Sequence, residues 1–564
     1  MKNTPLIVQS DGSLLLDVHA EGFEEARADI SPFAELEKSP EHIHTYRITS
    51  LSLWNASSAG ITGEKVLHTL EEWSRYEVPD NISFLVKETM ARFGVVTLVP
   101  GEKAGVFQLK VAEAAVRKEL EHNRKLTAYL TPEGDGYTLP LIHRGTVKQL
   151  LLEAGYPADD RIPLTTGDPL SFSLREETLQ GEAFSLRDYQ EDAVRAFIGG
   201  GRPGTGYGVL VLPCGAGKTL VGMKVMEQLS THTLILATNV TAVHQWIDEL
   251  LSRTTLKEEE IGEYTGSKKE IRPVTIATYQ VLTWRPDREG DFPHFKIFSE
   301  RNWGLIIYDE VHLLPAPVFR ITAEIQGIHR LGLTATLIRE DGKEGDVFSL
   351  VGPKRFDVPW KELESKGWIA EAYCREIRVS LPEKLKIAYA LADKRGKFRL
   401  ASENPLKNLI AKHIIANRRE DSILVIGQYL DQLKSIAQEL KAPLITGSTP
   451  NARREEIYSQ FRRGKVPVLV VSKVANYSID LPDASVAIQI SGTFGSRQEE
   501  AQRLGRILRP KEKNSWFYSL TTRFSEEEHY AMKRQQFLTE QGYKYHIDVW
   551  EDSEDLEEPA ENRF

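Results

Sequence analysis

The chain has 564 residues, of which 41% are hydrophobic and 27% charged; that balance excludes a disordered polymer and predicts several folded domains of roughly 100–200 residues each. Its two cysteines, Cys214 and Cys374, can neither build a disulfide framework nor supply four zinc ligands, so a reducing, cytoplasmic compartment is expected. The net charge of −10 gathers at one end, where residues 551–564 set seven acidic side chains against Arg563, so a cationic face elsewhere is not excluded.

Leu6-Ile7-Val8 is shorter than the apolar core of a secretory signal. No later apolar run reaches the ~20 residues of a bilayer span, so no membrane association is expected. Leu6–Leu16 reads as two short strands around Asp11-Gly12. Amphipathic patterns predict helices over 63–76, 82–93, 112–123 and 146–154, with a strand at 95–99. Residues 1–175 therefore read as an α+β accessory domain without a catalytic signature, and Pro163–Pro169 as a linker. From residue 181 short β-rich runs (209–212, 234–237, 275–277, 305–308) alternate with helical segments, the pattern of a buried parallel sheet. A second series (422–426, 468–471, 486–490) begins after it, so two tandem α/β units are expected at 181–358 and 359–547, followed by an acidic tail at 548–564. Within the second unit, Lys384–Arg399 holds six basic residues against one acidic one.

The strongest chemical signal is Pro213-Cys214-Gly215-Ala216-Gly217-Lys218-Thr219, placed after an apolar strand and before a helix. Gly215 and Gly217 let the backbone curl so that N–H groups face phosphate oxygens. Lys218 then reaches the β- and γ-phosphates, and the Thr219 hydroxyl joins a Mg²⁺ shell. Ile306-Ile307-Tyr308-Asp309-Glu310-Val311-His312 sets two carboxylates at the end of a second apolar strand, where ligands of parallel sheets collect. Asp309 is expected to hold Mg²⁺ and Glu310 to accept a proton from an attacking water. In Gln502-Arg503-Leu504-Gly505-Arg506-Ile507-Leu508-Arg509, Arg506 and Arg509 share one helical face and suit the charge of a transferring phosphoryl group.

The order Leu186-Arg187-Asp188-Tyr189-Gln190, phosphate loop, Asp309–His312, Leu333-Thr334-Ala335-Thr336 and Gln502–Arg509 resembles superfamily 2 helicases and translocases. Arg339-Glu340-Asp341, the lysine-rich insertion, Ser472-Lys473-Val474, Ser478-Ile479-Asp480-Leu481-Pro482 and the late Lys533–Leu538 run resemble the XPB family of DNA repair and transcription helicases. The resemblance covers nearly the whole chain and implies an α/β fold of two tandem RecA-like parallel-sheet lobes with an α+β N-terminal accessory domain. A thumb-like insertion at 381–405 is implied as well. Carried over by position, Arg187 and Gln190 would sense adenine. Gly215, Gly217, Lys218, Thr219 and Asp480 would bind ATP, and Thr219 and Asp309 the Mg²⁺. Gln502, Arg506 and Arg509 would complete the catalytic set of Lys218, Asp309 and Glu310. Thr334 and Thr336 would couple nucleotide state to DNA grip, and Arg339, Glu340 and Asp341 would touch DNA where strands part.

A motor that moves along DNA needs phosphate contacts, because phosphates repeat and sequence does not. Thr278 and Lys473 are expected to make such contacts. Lys394, Arg395, Lys397 and Arg399 are expected to clamp the duplex, with Phe398 stacking on a base. The resemblance implies an ATP-dependent 3′→5′ DNA helicase or translocase with DNA-stimulated ATPase activity in DNA repair, acting as a monomer with a repair nuclease or other repair protein. The alternatives are a nucleotide-gated scaffold that recruits such a partner, or an RNA-remodelling ATPase.

Overall fold

The computed structural model describes residues 4–38, 42–102, 106–140, 143–201, 205–287, 292–315, 318, 322, 325, 328–335, 347, 350–358, 360–472, 484–492, 503–505, 507, 514–540 and 543–550. Two compact units are formed, one from Met1–Leu212 with Gly217–Val358 and one from Pro213–Ala216 with Pro359–Phe564. None of the described helices is long and apolar enough to cross a membrane.

The first unit opens with an antiparallel sheet of β1 (Leu6–Val8), β2 (Ser13–Asp17), β3 (Glu35–Lys38) and β4 (Ile43–Arg47), in the order β1-β2-β4-β3. The expected hairpin is present, with Leu6 opposite Leu16 and Val8 opposite Leu14. Helices Gly63–Trp73 and Asp80–Ala91 bury Val66, Leu70, Ile82 and Val86 against this sheet's core. A second sheet follows, with β5 (Val96–Pro100), β6 (Val106–Val111), β7 (Thr131–Glu133), β8 (Gly136–Pro140) and β9 (Asp159–Asp160) in the order β7-β8-β6-β5-β9. Its last strand is fixed by charge. Asp160 is buried and receives Arg144 at 2.8 and 3.0 Å and Lys148 at 2.9 Å. Burial alone would raise the Asp160 carboxyl, yet Lys148 and Arg144 hold it well below the ordinary carboxylate value.

The linker expected at 163–169 is a strap fastened to the sheet that follows. Asp168 N donates to Asn302 O at 2.8 Å, His232 N to Asp168 O at 2.8 Å, and Thr231 Oγ1 to Thr166 O at 2.5 Å. The backbones lie so close that a Cβ on Gly167 would stand 2.2 Å from Gly304 N.

The third sheet is wholly parallel: β10 (Tyr207–Val211), β11 (Thr233–Ala237), β12 (Ile261–Tyr264), β13 (Val274–Thr278), β14 (Leu305–Asp309), β15 (His329–Thr334) and β16 (Lys354–Asp357), in the order β12-β13-β11-β14-β15-β10-β16. Every residue of β10, β11 and β13 is buried, as a sheet covered on both faces requires. The register sets Leu210 beside Leu333 and Tyr308 beside Gly332, so the C-terminal ends of β10, β14 and β15 finish together.

The second unit is built on another seven-stranded parallel sheet, β17 (Ala372–Val379), β18 (Ile423–Gly427), β19 (Leu444–Ile445), β20 (Val468–Ser472), β21 (Val486–Gln489), β22 (Ser515–Thr522) and β23 (Tyr545–Trp550), in the order β19-β20-β18-β21-β22-β17-β23. Strand β23 runs three residues beyond 547, so Asp548, Val549 and Trp550 belong to the sheet rather than to the acidic tail. The basic insertion folds as two helices, Glu383–Leu391 and Lys394–Ser402, the second capped by Asp393 Oδ1 accepting from Gly396 N at 2.8 Å. They rest on the helix Glu526–Glu540, whose Glu527 makes a fully buried ion pair with Lys407 at 2.6 Å.

Candidate active site

The site grows from the ends of β10, β14 and β15. After β10 the chain turns through Leu212–Gly217 into the helix Lys218–Leu229. Gly215 and Gly217 take left-handed φ values of +80° and +77°, which a side chain at either position would strain. Gly217 meets a second limit, since a Cβ there would lie 2.5 Å from Gln190 Nε2. Gln190 is buried, and its Oε1 accepts from Arg187 N at 2.9 Å while Arg187 Nη1 donates to Tyr189 Oη at 3.3 Å. The expected adenine-sensing pair therefore abuts the glycine turn.

Lys218 bridges the two motifs within this unit. Its Nζ lies 3.5 Å from Leu212 O and 3.8 Å from Glu310 Oε1. Thr219 follows it on the first turn of the helix, whose free N–H groups favour anions.

Asp309 ends β14 with both carboxylate oxygens engaged. Oδ1 accepts from Glu310 N at 3.1 Å and Oδ2 from Trp246 Nε1 at 3.1 Å. Burial, followed by the neighbouring Glu310 carboxylate, pushes its pKa up to about 6, with Trp246 and Lys218 opposing the shift. Tyr279 is buried beneath and donates from Oη to Asp309 O at 3.1 Å.

Glu310 departs from ordinary backbone geometry, with φ +49° and ψ +54°. Its Oε2 is buried and accepts no hydrogen bond among the described residues, although His312 Nδ1 lies 3.4 Å away. The same Nδ1 lies 2.7 Å from Thr334 Oγ1, which joins the end of β15 to the Glu310 turn.

The donor set fits a small hard cation. A hydroxyl at Thr219 and a carboxylate at Asp309 are oxygen donors, and a positive charge would offset the burial and the Glu310 repulsion that together raise Asp309.

Two expectations are corrected. Thr278 is 2% exposed, and its Oγ1 accepts from Val281 N at 3.2 Å; it caps the helix Tyr279–Leu282 and has no surface to offer a phosphate. Phe398 is fully buried edge-on to Tyr530, with ring centroids 5.3 Å apart, so it cannot stack on a base. Lys394 and Arg395 are exposed and Lys397 partly so, while Arg399 pairs with Glu403 at 2.6 Å. Thr336, Arg339, Glu340, Asp341, Lys473, Asp480, Gln502, Arg506 and Arg509 lie outside the described residues.

Sequence reasoning missed Trp246 and the roles of Tyr279 and His312. Val243, Trp246 and Leu250 form an apolar stripe on the helix Val240–Arg253, which predicts burial but not that the indole nitrogen would reach a carboxylate. A glycine inside the preceding helix was the available signal. A Cβ on Gly222 would stand 2.8 Å from Trp246 Cη2, so the helix Lys218–Leu229 gives up helix propensity to let the indole through.

A lysine on a glycine turn beside an acidic pair, on a seven-stranded parallel sheet and followed by a second such sheet, defines the class of two-lobed helicase-type ATPases. The ERCC3/RAD25/XPB C-terminal helicase model matches residues 363–562, the type III restriction enzyme res subunit model 183–339, and a helicase conserved C-terminal domain model 6–133. The chain is 52% identical to a Mycobacterium tuberculosis protein named DNA 3'-5' helicase XPB, over 99% of this chain and 100% of that one. A Kineococcus radiotolerans protein of the same name is 51% identical over 97% of each chain. The XPB subunit of general transcription and DNA repair factor IIH from Enterocytozoon bieneusi is 33% identical over 96% of this chain and 92% of its own. The chain belongs to the XPB family of DNA helicases.

Proposed function

We propose that this chain is an ATP-dependent 3′→5′ DNA helicase or translocase whose ATPase is stimulated by DNA. The observation that carries the reading is the convergence of Lys218, Asp309 and Glu310 at the ends of β10 and β14, with Lys218 Nζ 3.8 Å from Glu310 Oε1, in a chain at 52% identity to a named DNA helicase. Lys218 and the N–H groups of the glycine turn bind the β- and γ-phosphates. Glu310, whose Oε2 accepts no hydrogen bond among the described residues, orients the attacking water and takes its proton. Thr219 and Asp309 would hold Mg²⁺, which when bound neutralises charge building on the phosphate oxygens. Arg187 and Gln190 read the base, and Asp480 and Gln502 are assigned to the nucleotide, with Arg506 and Arg509 supplying cations to the transferring group. Arg339, Glu340, Asp341 and Lys473 are assigned to DNA, together with the cations of the basic insertion. A repair nuclease or other repair protein is the class of partner we expect, because the Enterocytozoon bieneusi relative is named as part of a DNA repair factor.

The test compares ATP hydrolysis with no nucleic acid, single-stranded DNA, duplex DNA and RNA, alongside displacement of a strand annealed beside a 3′ or a 5′ tail. The reading expects stimulation by DNA over RNA and displacement from the 3′ tail. Hydrolysis indifferent to DNA, or stimulated by RNA alone, would overturn it.

A further inference from the structure

The Lys533–Leu538 run has no part in the nucleotide site described above. It lies on the helix Glu526–Glu540, where Arg534 is 1% exposed. Burying an arginine costs several kcal/mol that its surroundings must repay, and an apolar side chain of similar volume fills such a place at less cost. The guanidinium lies over Gly492. A Cβ there would stand 2.2 Å from Arg534 Cζ, 2.4 Å from Nη2 and 2.6 Å from Nη1, so the plane meets the α-carbon face-on. Gly492 has no left-handed φ, and its glycine therefore answers to space and not to backbone conformation. Ser491 beside it is held as well, its Oγ accepting from Gln428 N at 2.8 Å. From Gly492 the chain leaves β21 for the segment to which Gln502, Arg506 and Arg509 belong, of which Arg503 is buried and donates to Gln489 Oε1.

The same helix seats the basic insertion nearer its start. Glu526 N donates to Tyr389 Oη at 2.9 Å, and Tyr530 meets Phe398 edge-on with ring centroids 5.3 Å apart, so both insertion helices rest on it. Glu527 pairs with Lys407 at 2.6 Å in the core. Burial lowers the Lys407 pKa, Glu527 opposes the shift and the Arg534 charge adds to it, which sets Arg534 in the same buried network. From Glu526 to Arg534 is about 12 Å of helix at 1.5 Å per residue. A packed helix moves as a stiff piece over that length, so a shift of the insertion is a shift of the guanidinium on Gly492. We propose that Arg534 is a positioning residue for ATP hydrolysis: its guanidinium sets the backbone at Gly492, where the chain enters the segment assigned to the transferring phosphoryl group, and the helix Glu526–Glu540 carries to it the position of the insertion. The inference rests on the helicase reading and names the contact through which DNA acts on hydrolysis.

The experiment uses the full chain and measures phosphate release with and without saturating duplex DNA, KM for ATP, DNA affinity and the melting temperature. Arg534→Lys keeps a cation in the buried network and loses the plane that covers Gly492. It should lower the ratio of DNA-stimulated to basal kcat by at least about fivefold, with KM for ATP and DNA affinity unchanged to within about twofold. Gly492→Ala leaves the charges in place and displaces the guanidinium, and should give the same loss; either variant decides the matter if the other does not fold. The double variant should be no worse than the poorer single one, because both act at one contact. A ratio that stays within about twofold of wild type, even where both rates fall together, overturns the proposal and leaves Arg534 a structural residue. A loss that shows as weaker DNA binding, or single defects that multiply in the double variant, overturns it too. Failure of the helicase reading is seen separately, as wild-type ATP hydrolysis that DNA does not stimulate, and it removes this proposal with it.

Discussion

Trp246→Phe isolates one hydrogen bond that the activity should depend on. The indole N–H donates to Asp309 Oδ2 at 3.1 Å, the oxygen on the side away from the Glu310 amide. A hydrogen bond to an ionised group contributes about 1.5–3 kcal/mol, and removing the donor costs at least that when the acceptor is partly buried. At 1.36 kcal/mol per decade, the loss corresponds to roughly 10- to 150-fold in kcat/KM. Phenylalanine keeps an aromatic ring on the buried face of the helix Val240–Arg253 but lacks the distal ring whose Cη2 and Cζ3 cover Gly222, so some stability is lost to the void left there. Phosphate release is measured at saturating DNA across a matrix of Mg²⁺ and ATP concentrations, with the melting temperature taken separately. The expected result is the stated fall in kcat/KM together with a raised Mg²⁺ requirement. A variant within twofold of wild type in both would refute the claim that the indole fixes Asp309.

Glu310→Gln should lower turnover by about 10²–10⁴-fold while nucleotide still binds, measured by phosphate release beside equilibrium titration of a fluorescent nucleotide. Asp160→Asn should cost about 3–5 kcal/mol, because Arg144 and Lys148 stay buried without their carboxylate. Since that carboxyl is held below its ordinary value, its stabilisation is complete above pH ~4 and is lost as pH falls through the folded value; urea melts at pH 7 and pH 3 should show this acid slope in wild type and lack it in the variant. Gly167→Ala should free the strap, since φ is +67° and the added Cβ would stand 2.2 Å from Gly304 N. The readout is limited proteolysis, with new cleavage expected between Arg161 and Arg175.

The apolar β-runs and the phosphate loop were legible because buried parallel strands and glycine turns leave strong composition signals. Inner strands of the third sheet, β10, β11, β13 and β14, fall where short apolar runs lie. Strand β17 was not legible, because Ala372–Val379 carries Arg375, Glu376 and Arg378. Those charges are admitted by pairing: Arg375 meets Asp548 at 2.8 Å and Arg378 meets Glu528 at 2.6 Å. Strand β16, Lys354–Asp357, sits on a sheet edge with no residue fully buried, so hydrophobicity could not mark it. Lys218, Asp309 and Glu310 were readable in the site because their chemistry is local in sequence. Trp246 and His312 were not, because their partners, Asp309 and Thr334, are brought to them only by the sheet register. Thr278 and Phe398 were misplaced for the same reason in reverse: polarity or aromaticity in a loop or basic segment does not reveal that the side chain is spent on a cap or a core contact.

The backbone at Glu310 explains why these residues should behave as one. A left-handed conformation at a residue with a Cβ costs roughly 1–2 kcal/mol, and it persists only where its surroundings determine it. Here Glu310 N donates to Asp309 Oδ1, and Glu310 O accepts from Leu313 N at 2.8 Å, with Val311 buried beyond. Asp309 therefore serves twice, with one oxygen holding the turn that aims the base and the other held by Trp246. Loosening the indole contact lets the carboxylate rotate and slackens the turn, so Trp246→Phe should act on the proposed base as well as on the proposed metal ligand. Effects that pass through the same group do not add. In the Trp246→Phe/Glu310→Gln chain, turnover should fall no further than in Glu310→Gln alone, to within about threefold. Multiplied defects would mean that Trp246 acts by a route that does not pass through the turn, and that the strained backbone has no part in placing the base.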